Sequence, residues 1–288
     1  MMMSERDQEI RDLMRMPLEV LLDKAGSHLR VCKSLDILHQ VFAEDIFKEI
    51  QKNNTQDKST RIILPIGPTG QYPYLVKYLN QNKVDLESCW FFFMDEYCDP
   101  RGNALDISHP LSFKKIGYEQ LLNQLDPSLK LQKDHIFFPS ENNINQLDGV
   151  MEEIGGIDTC YGGIGIHGHL AFNEPEKNIS NLGSRKVKLN DFTITINVIR
   201  AQVGGNLENF PKEAYTIGMQ QILGSKRIKL YCRSEGPYNW AACILRISLL
   251  GTPGDDYPVT HIREHPNYLI TTTYDTLDLS QEKNAKLI

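Results

Sequence analysis

Apolar positions along the 288-residue chain recur in two alternating rhythms. Short apolar runs rich in Ile, Phe and Tyr occupy residues 61–66, 89–94, 135–138, 159–163, 214–218 and 228–232. Runs of this length and composition predict strands. Between or beside them, apolar residues three and four apart predict helices over residues 35–52, 72–81, 112–124, 144–154 and 238–249. Strands that alternate with crossover helices predict a doubly wound, mostly parallel, Rossmann-like α/β sheet. No repeat, low-complexity tract or Gly/Ser linker divides the chain. Residues 32–288 are therefore expected to form a single domain, with residues 1–31 a helical extension ahead of it.

Ligands of such sheets bind beyond the carboxyl ends of the strands, near the point where strand order reverses, so the residues just after each strand are the candidates. After the first run stands Leu64-Pro65-Ile66-Gly67-Pro68-Thr69-Gly70, then a helix. Glycines at a strand-to-helix turn let backbone amides approach an anion, and the helix start favours negative charge. The string is neither a Walker loop nor GxGxxG, and an ordinary tight turn explains it equally well. The second run, Cys89-Trp90-Phe91-Phe92-Phe93-Met94, is apolar enough to be buried on both faces and ends in Asp95-Glu96-Tyr97. A desolvated carboxylate there is a candidate general base; the plainer alternative is that Asp95 caps a turn or helix.

The stretch Tyr161-Gly162-Gly163-Ile164-Gly165-Ile166-His167-Gly168-His169-Leu170-Ala171-Phe172-Asn173-Glu174-Pro175 clears side chains from a strand end while presenting two imidazoles and a carboxylate. Histidine moves protons near neutral pH, and Glu174 could orient it or share the work. Two alternatives stand beside this: His167 and His169 as metal ligands completed by Glu174 or Asp95, or histidines that merely hydrogen-bond within a loop.

Composition narrows the partner. A net charge of -6 gives no general attraction to nucleic acid or an anionic membrane, so a small metabolite is expected. Six scattered cysteines without a CxxC pair read as reduced thiols. No stretch approaches the run of about 18 apolar residues needed to span a membrane, and a soluble cytoplasmic protein is expected.

Taken together, Met94-Asp95-Glu96-Tyr97, His109-Pro110-Leu111-Ser112-Phe113 and Gly165-Ile166-His167-Gly168-His169-Leu170-Ala171-Phe172-Asn173-Glu174-Pro175 resemble the glucosamine-6-phosphate deaminase/isomerase family, in order and spacing, over residues 62–273. The resemblance implies a Rossmann-like fold without redox cofactor or metal, acting on a small-molecule sugar phosphate. It implies that Asp95 moves a proton between carbons 2 and 1 of the open-chain amino sugar. It makes His169 the ring-opening acid/base and Glu174 its carboxylate partner, and the resulting imine would hydrolyse to a keto-sugar phosphate and ammonia. Arg200 matches an arginine the family uses for phosphate. The sister 6-phosphogluconolactonases share the fold and the Gly-His turn, but Phe172-Asn173-Glu174-Pro175 and Asp95-Glu96-Tyr97 favour the deaminase branch.

Three departures stand out. The family normally has Asp where this chain has His167, which cannot supply a negative charge to His169. Its phosphate loop usually carries Thr-Gly-Gly or Thr-Gly-Ser where this chain has Ile66-Gly67-Pro68, which loses a hydroxyl and one backbone donor; Ile66, Gly67, Pro68 and Thr69 are the expected phosphate contacts. A usual lysine falls near Gly236, for which Arg233 could substitute. The expectation is thus a divergent deaminase, in some family members monomeric and in others hexameric. A lactonase-like hydrolase and a non-catalytic sugar-phosphate sensor are the alternatives.

Overall fold

The computed structural model describes residues 4–234 and 240–277. Among them are strands β1 (Leu29–Cys32), β2 (Thr60–Leu64), β3 (Cys89–Phe93), β4 (Asp95–Tyr97), β5 (Ile136–Phe137), β6 (Thr159–Gly162), β7 (Arg185–Lys188), β8 (Glu213–Thr216), β9 (Ile228–Tyr231) and β10 (Tyr268–Thr273). The helices are α1 (Glu5–Arg15), α2 (Leu18–Ala25), α3 (Leu35–Asn54), α4 (Tyr72–Gln81), α5 (Phe113–Gln120), α6 (Ile144–Glu153), α7 (Asp191–Arg200), α8 (Met219–Leu223), α9 (Ala241–Leu250) and α10 (Tyr274–Leu277).

The apolar strand sequences dictate burial on both faces. Successive side chains of a strand point to opposite sides. Ile62, Leu64, Phe91 and Phe93 accordingly join a core with Leu38, Phe42 and Ile46 of α3, while Ile63 and Phe92 join one with Leu147 of α6 and Leu245 of α9. Each fully buried side chain of this size contributes roughly 1.5–3 kcal/mol, so two-sided burial holds the central strands most firmly.

Seven strands pair in parallel in the order β1-β10-β9-β6-β2-β3-β5. From β2 the chain builds outward through β3 to β5, then returns to the other side of β2 and builds through β6, β9 and β10. Strand order therefore reverses between β2 and β6, where a ligand site is expected. The remaining strands form a smaller antiparallel sheet, β4-β8-β7.

The strand expected over 214–218 belongs to this smaller sheet, as β8, and β1, β4, β7 and β10 were not foreseen. The expected extension also proves inseparable from the domain. A boundary after Val31 cuts β1, which pairs with β10, and Leu13, Met14, Leu21 and Ala25 lie in the main core. The buried Arg246 of α9 donates to the carbonyls of Leu13 and Met16 at 3.0 and 2.7 Å, satisfying the end of α1. The start of the last expected helix, at residue 238, lies outside the described residues; α9 begins at Ala241.

Candidate active site

The chain changes sheets at Met94. Its N–H donates to the Leu64 carbonyl at 3.0 Å, and its carbonyl accepts from the Ile217 N–H at 2.8 Å. The next two residues alternate sides, and their surroundings diverge. Glu96 turns to the start of α5, where its carboxylate accepts from Ser112 Oγ at 3.0 Å and from the N–H groups of Tyr97, Phe113 and Lys114 at 2.8–3.0 Å. The capping role considered for Asp95 thus falls to its neighbour. Asp95 is 7% exposed, makes no hydrogen bond among the described residues and lines a cavity of about 90 Å³. Burial, with Glu96 beside it, pushes its carboxyl up to about 8.

Two glycines shape the other wall. A Cβ on Gly163 would stand 2.9 Å from the Gly67 carbonyl oxygen, so only glycine lets the end of β6 touch the loop after β2. A Cβ on Gly165 would stand 1.9 Å from His169 Nε2, so only glycine admits the imidazole. The turn closes through Gly165 N–H to the His169 carbonyl at 2.9 Å. Ile66, Gly67, Asp95, Gly163, Gly165 and His169 consequently line one cavity, which opens to a larger chamber of about 620 Å³ past Phe113, Asn197 and Arg200.

His167 and Glu174 stand behind His169 and do not line this cavity. Nδ1 of His167 and Nδ1 of His169 are 3.1 Å apart. Asn190, which the sequence reading missed, ties the group together. Its side-chain Oδ1 accepts from Thr193 N–H at 2.9 Å as the N-cap of α7, its Nδ2 contacts His167 Nε2, and its backbone N–H donates to Glu174 Oε2 at 2.6 Å. Glu174 Oε1 is buried with no hydrogen-bond partner among the described residues. His167, His169 and Glu174 each offer a ligand-type atom within 4.8 Å of the others, the set a cation would use. Burial raises the Glu174 carboxyl. Burial also lowers both imidazoles, and for His169 the nearby His167 and Arg200 lower it further. Both rings are therefore neutral at neutral pH.

Positive charge enters from two sides. Arg200, at the end of α7, and Arg233, after β9, both line the cavity, and Arg200 lies 5.4 Å over the Trp240 ring. Of the expected phosphate loop, Ile66 and Gly67 line the cavity, while Pro68 and Thr69 do not; the Gly67–Pro68 peptide is cis. Gly236 lies outside the described residues. No helix among the described residues is long and apolar enough to cross a membrane.

No protein-family profile matches the sequence. Curated relatives do. The glucosamine-6-phosphate deaminase of Phocaeicola vulgatus is 31% identical over 193 residues, covering 64% of this chain and 68% of the relative. That of Clostridium perfringens is 24% identical over 261 residues, 87% of this chain and 98% of the relative. Among solved structures, a monomeric glucosamine-6-phosphate deaminase superposes with a TM-score of 0.75 at 22% identity, over 87% of this chain and 99% of that one. A 6-phosphogluconolactonase from Shewanella baltica superposes with a TM-score of 0.62 at 15% identity, over 86% and 97%. At such identities the structures speak to the fold alone, whereas the Phocaeicola relative speaks to descent. The chain belongs to the glucosamine-6-phosphate deaminase family.

Proposed function

We propose that this protein converts glucosamine 6-phosphate, or a related amino sugar 6-phosphate, to a keto-sugar phosphate and ammonia. The observation that carries this reading is Asp95: a buried, unpartnered carboxylate in a cavity that also holds His169 and two arginines. Once ionised, Asp95 takes the proton from carbon 2 of the open-chain sugar and returns it to carbon 1. The imine so formed is hydrolysed, which releases ammonia. His169 meets the sugar's oxygens from the opposite wall, and Arg200 and Arg233 supply the charge that a phosphate requires. With the usual lysine position at Gly236, the guanidinium groups carry that task.

A panel of amino sugar 6-phosphates, read by ammonia and ketose formation, tests the proposal. One substrate should yield both products in equal amounts. Hydrolysis of 6-phosphogluconolactone without ammonia release would turn the reading to the lactonase branch. Tight binding of a sugar phosphate without turnover would make the protein a sensor.

A further inference from the structure

We propose that Asn190 is a positioning residue which, through His167, holds the proton of His169 on Nε2 and so presents a neutral N–H donor to the sugar. The inference rests on the deaminase reading for its substrate, but on hydrogen-bond geometry for its content. Asn190 Oδ1 is committed to the Thr193 N–H at the start of α7. The amide's other arm, Nδ2, is a donor and faces His167 Nε2. That nitrogen must then accept, which in a neutral imidazole leaves the proton on Nδ1. His167 Nδ1–H in turn faces His169 Nδ1 at 3.1 Å, so His169 accepts there and carries its own proton on Nε2. Nε2 is the ring atom that packs closest over Gly165, and both residues line the cavity. Each tautomer is assigned from the donor before it, and the chain begins at a helix cap.

The direction of this chain determines what His169 can do. A carboxylate at position 167 would accept from Nδ1–H of His169 and leave Nε2 with a lone pair, a base. His167 reverses that polarity. Asn190 cannot resupply the proton of His167, because an amide is not an acid at neutral pH, so complete transfer of the Nε2 proton through this chain would leave an anionic ring. His169 instead acts as a neutral electrophile, donating a hydrogen bond to a sugar oxygen whose negative charge grows as Asp95 withdraws the carbon 2 proton. No bond to the imidazole proton breaks: Asp95 carries the carbon-bound proton from carbon 2 to carbon 1, and the oxygen on carbon 1 takes its proton from the substrate's own amino group as that group becomes the imine. The same chain disfavours a cation in the His167, His169 and Glu174 group, since a protonated Nδ1 on His167 has no lone pair to give.

The test is nitrogen-15 NMR of the full-length, ligand-free protein with labelled histidine, comparing wild type, Asn190→Asp and Asn190→Ser. Asp at 190 keeps the helix cap but presents an acceptor to His167 Nε2; Ser keeps the cap and removes the contact. In the wild type, His169 Nε2 should be the protonated nitrogen; in Asn190→Asp the proton should move to Nδ1, and in Asn190→Ser the two forms should mix. A wild-type His169 protonated on Nδ1, or one tautomer common to all three proteins, would overturn the relay. So would stoichiometric zinc in the purified wild type. The spectra need no substrate, so a failed relay is distinguishable from failed ammonia release.

Discussion

Glu49 and Asp95 are both buried carboxylates, 8% and 7% exposed, in opposite company. Glu49, on α3, accepts from Thr159 Oγ1 at 2.7 Å, Tyr161 OH at 2.7 Å and Arg227 Nη2 at 2.6 Å. Its charge is paired, and it ties α3 to β6 and to the start of β9. Asp95 has neither a cation nor a hydrogen-bond donor among the described residues, and its one charged neighbour in sequence, Glu96, is spent on capping α5. Burying a charge without partners costs free energy, and the group responds by holding its proton. One region uses a carboxylate to hold the sheet and its helix together; the other leaves a buried carboxylate unpaired at a cavity wall.

The comparison breaks most visibly at Asp95. Asp95→Asn should lower kcat about a hundredfold or more, the usual scale for a positioned base, as measured by ammonia release. It should also stabilise the protein above neutral pH. A carboxyl raised from its ordinary value to about 8 stays protonated in the folded state while the unfolded chain loses its proton, so stability falls as pH rises through that window. The asparagine has no proton to lose, and thermal melts at pH 8 should show the gain.

Glu49→Gln should do the reverse: cost about 2–3 kcal/mol of stability by uncoupling a charge-assisted network, while kcat keeps the same pH dependence in the folded enzyme. Denaturant unfolding checks the first and the rate profile the second. Gly165→Ala should follow, pushing the His169 ring from its place and lowering kcat about a hundredfold, the low end of the range for a lost transition-state donor. Its KM for a phosphorylated sugar should change little, because the arginines stand elsewhere in the cavity. The mildest effect is on pH: kcat/KM of the wild type should rise with pH up to about 8 as Asp95 ionises, and a flat profile below that value would place the base elsewhere.

How much of this was legible in the sequence follows from where information sits. Strands β2, β3, β6 and β9 are buried on both faces, and their apolar runs announce it. β7, Arg185–Lys188, carries three basic residues in four, and β4 spans only three positions, so the antiparallel sheet arises from pairing that local composition does not encode. Asp95, His169 and the Gly165 turn stood out because titratable side chains and glycines just after buried apolar strands are conspicuous in composition, and the fold brings them to one cavity. Asn190 was not, although an Asn just ahead of an apolar-periodic stretch is a helix-start signal. Its second task, 23 positions from His167, exists only in the folded chain. Of the expected phosphate loop, Ile66 and Gly67 line the cavity and Pro68 and Thr69 do not, because composition marks a turn without saying which of its residues reach the ligand side.

The most direct measurement of the central claim is turnover of glucosamine 6-phosphate carrying deuterium at carbon 2, by wild type and by Asp95→Asn. If Asp95 is the base of a deaminase, the wild type should release ammonia with a primary isotope effect and remove the label from carbon 2, and the variant should do neither at a measurable rate. Ammonia released with the label still on carbon 2, or label lost equally fast from both proteins, would contradict it.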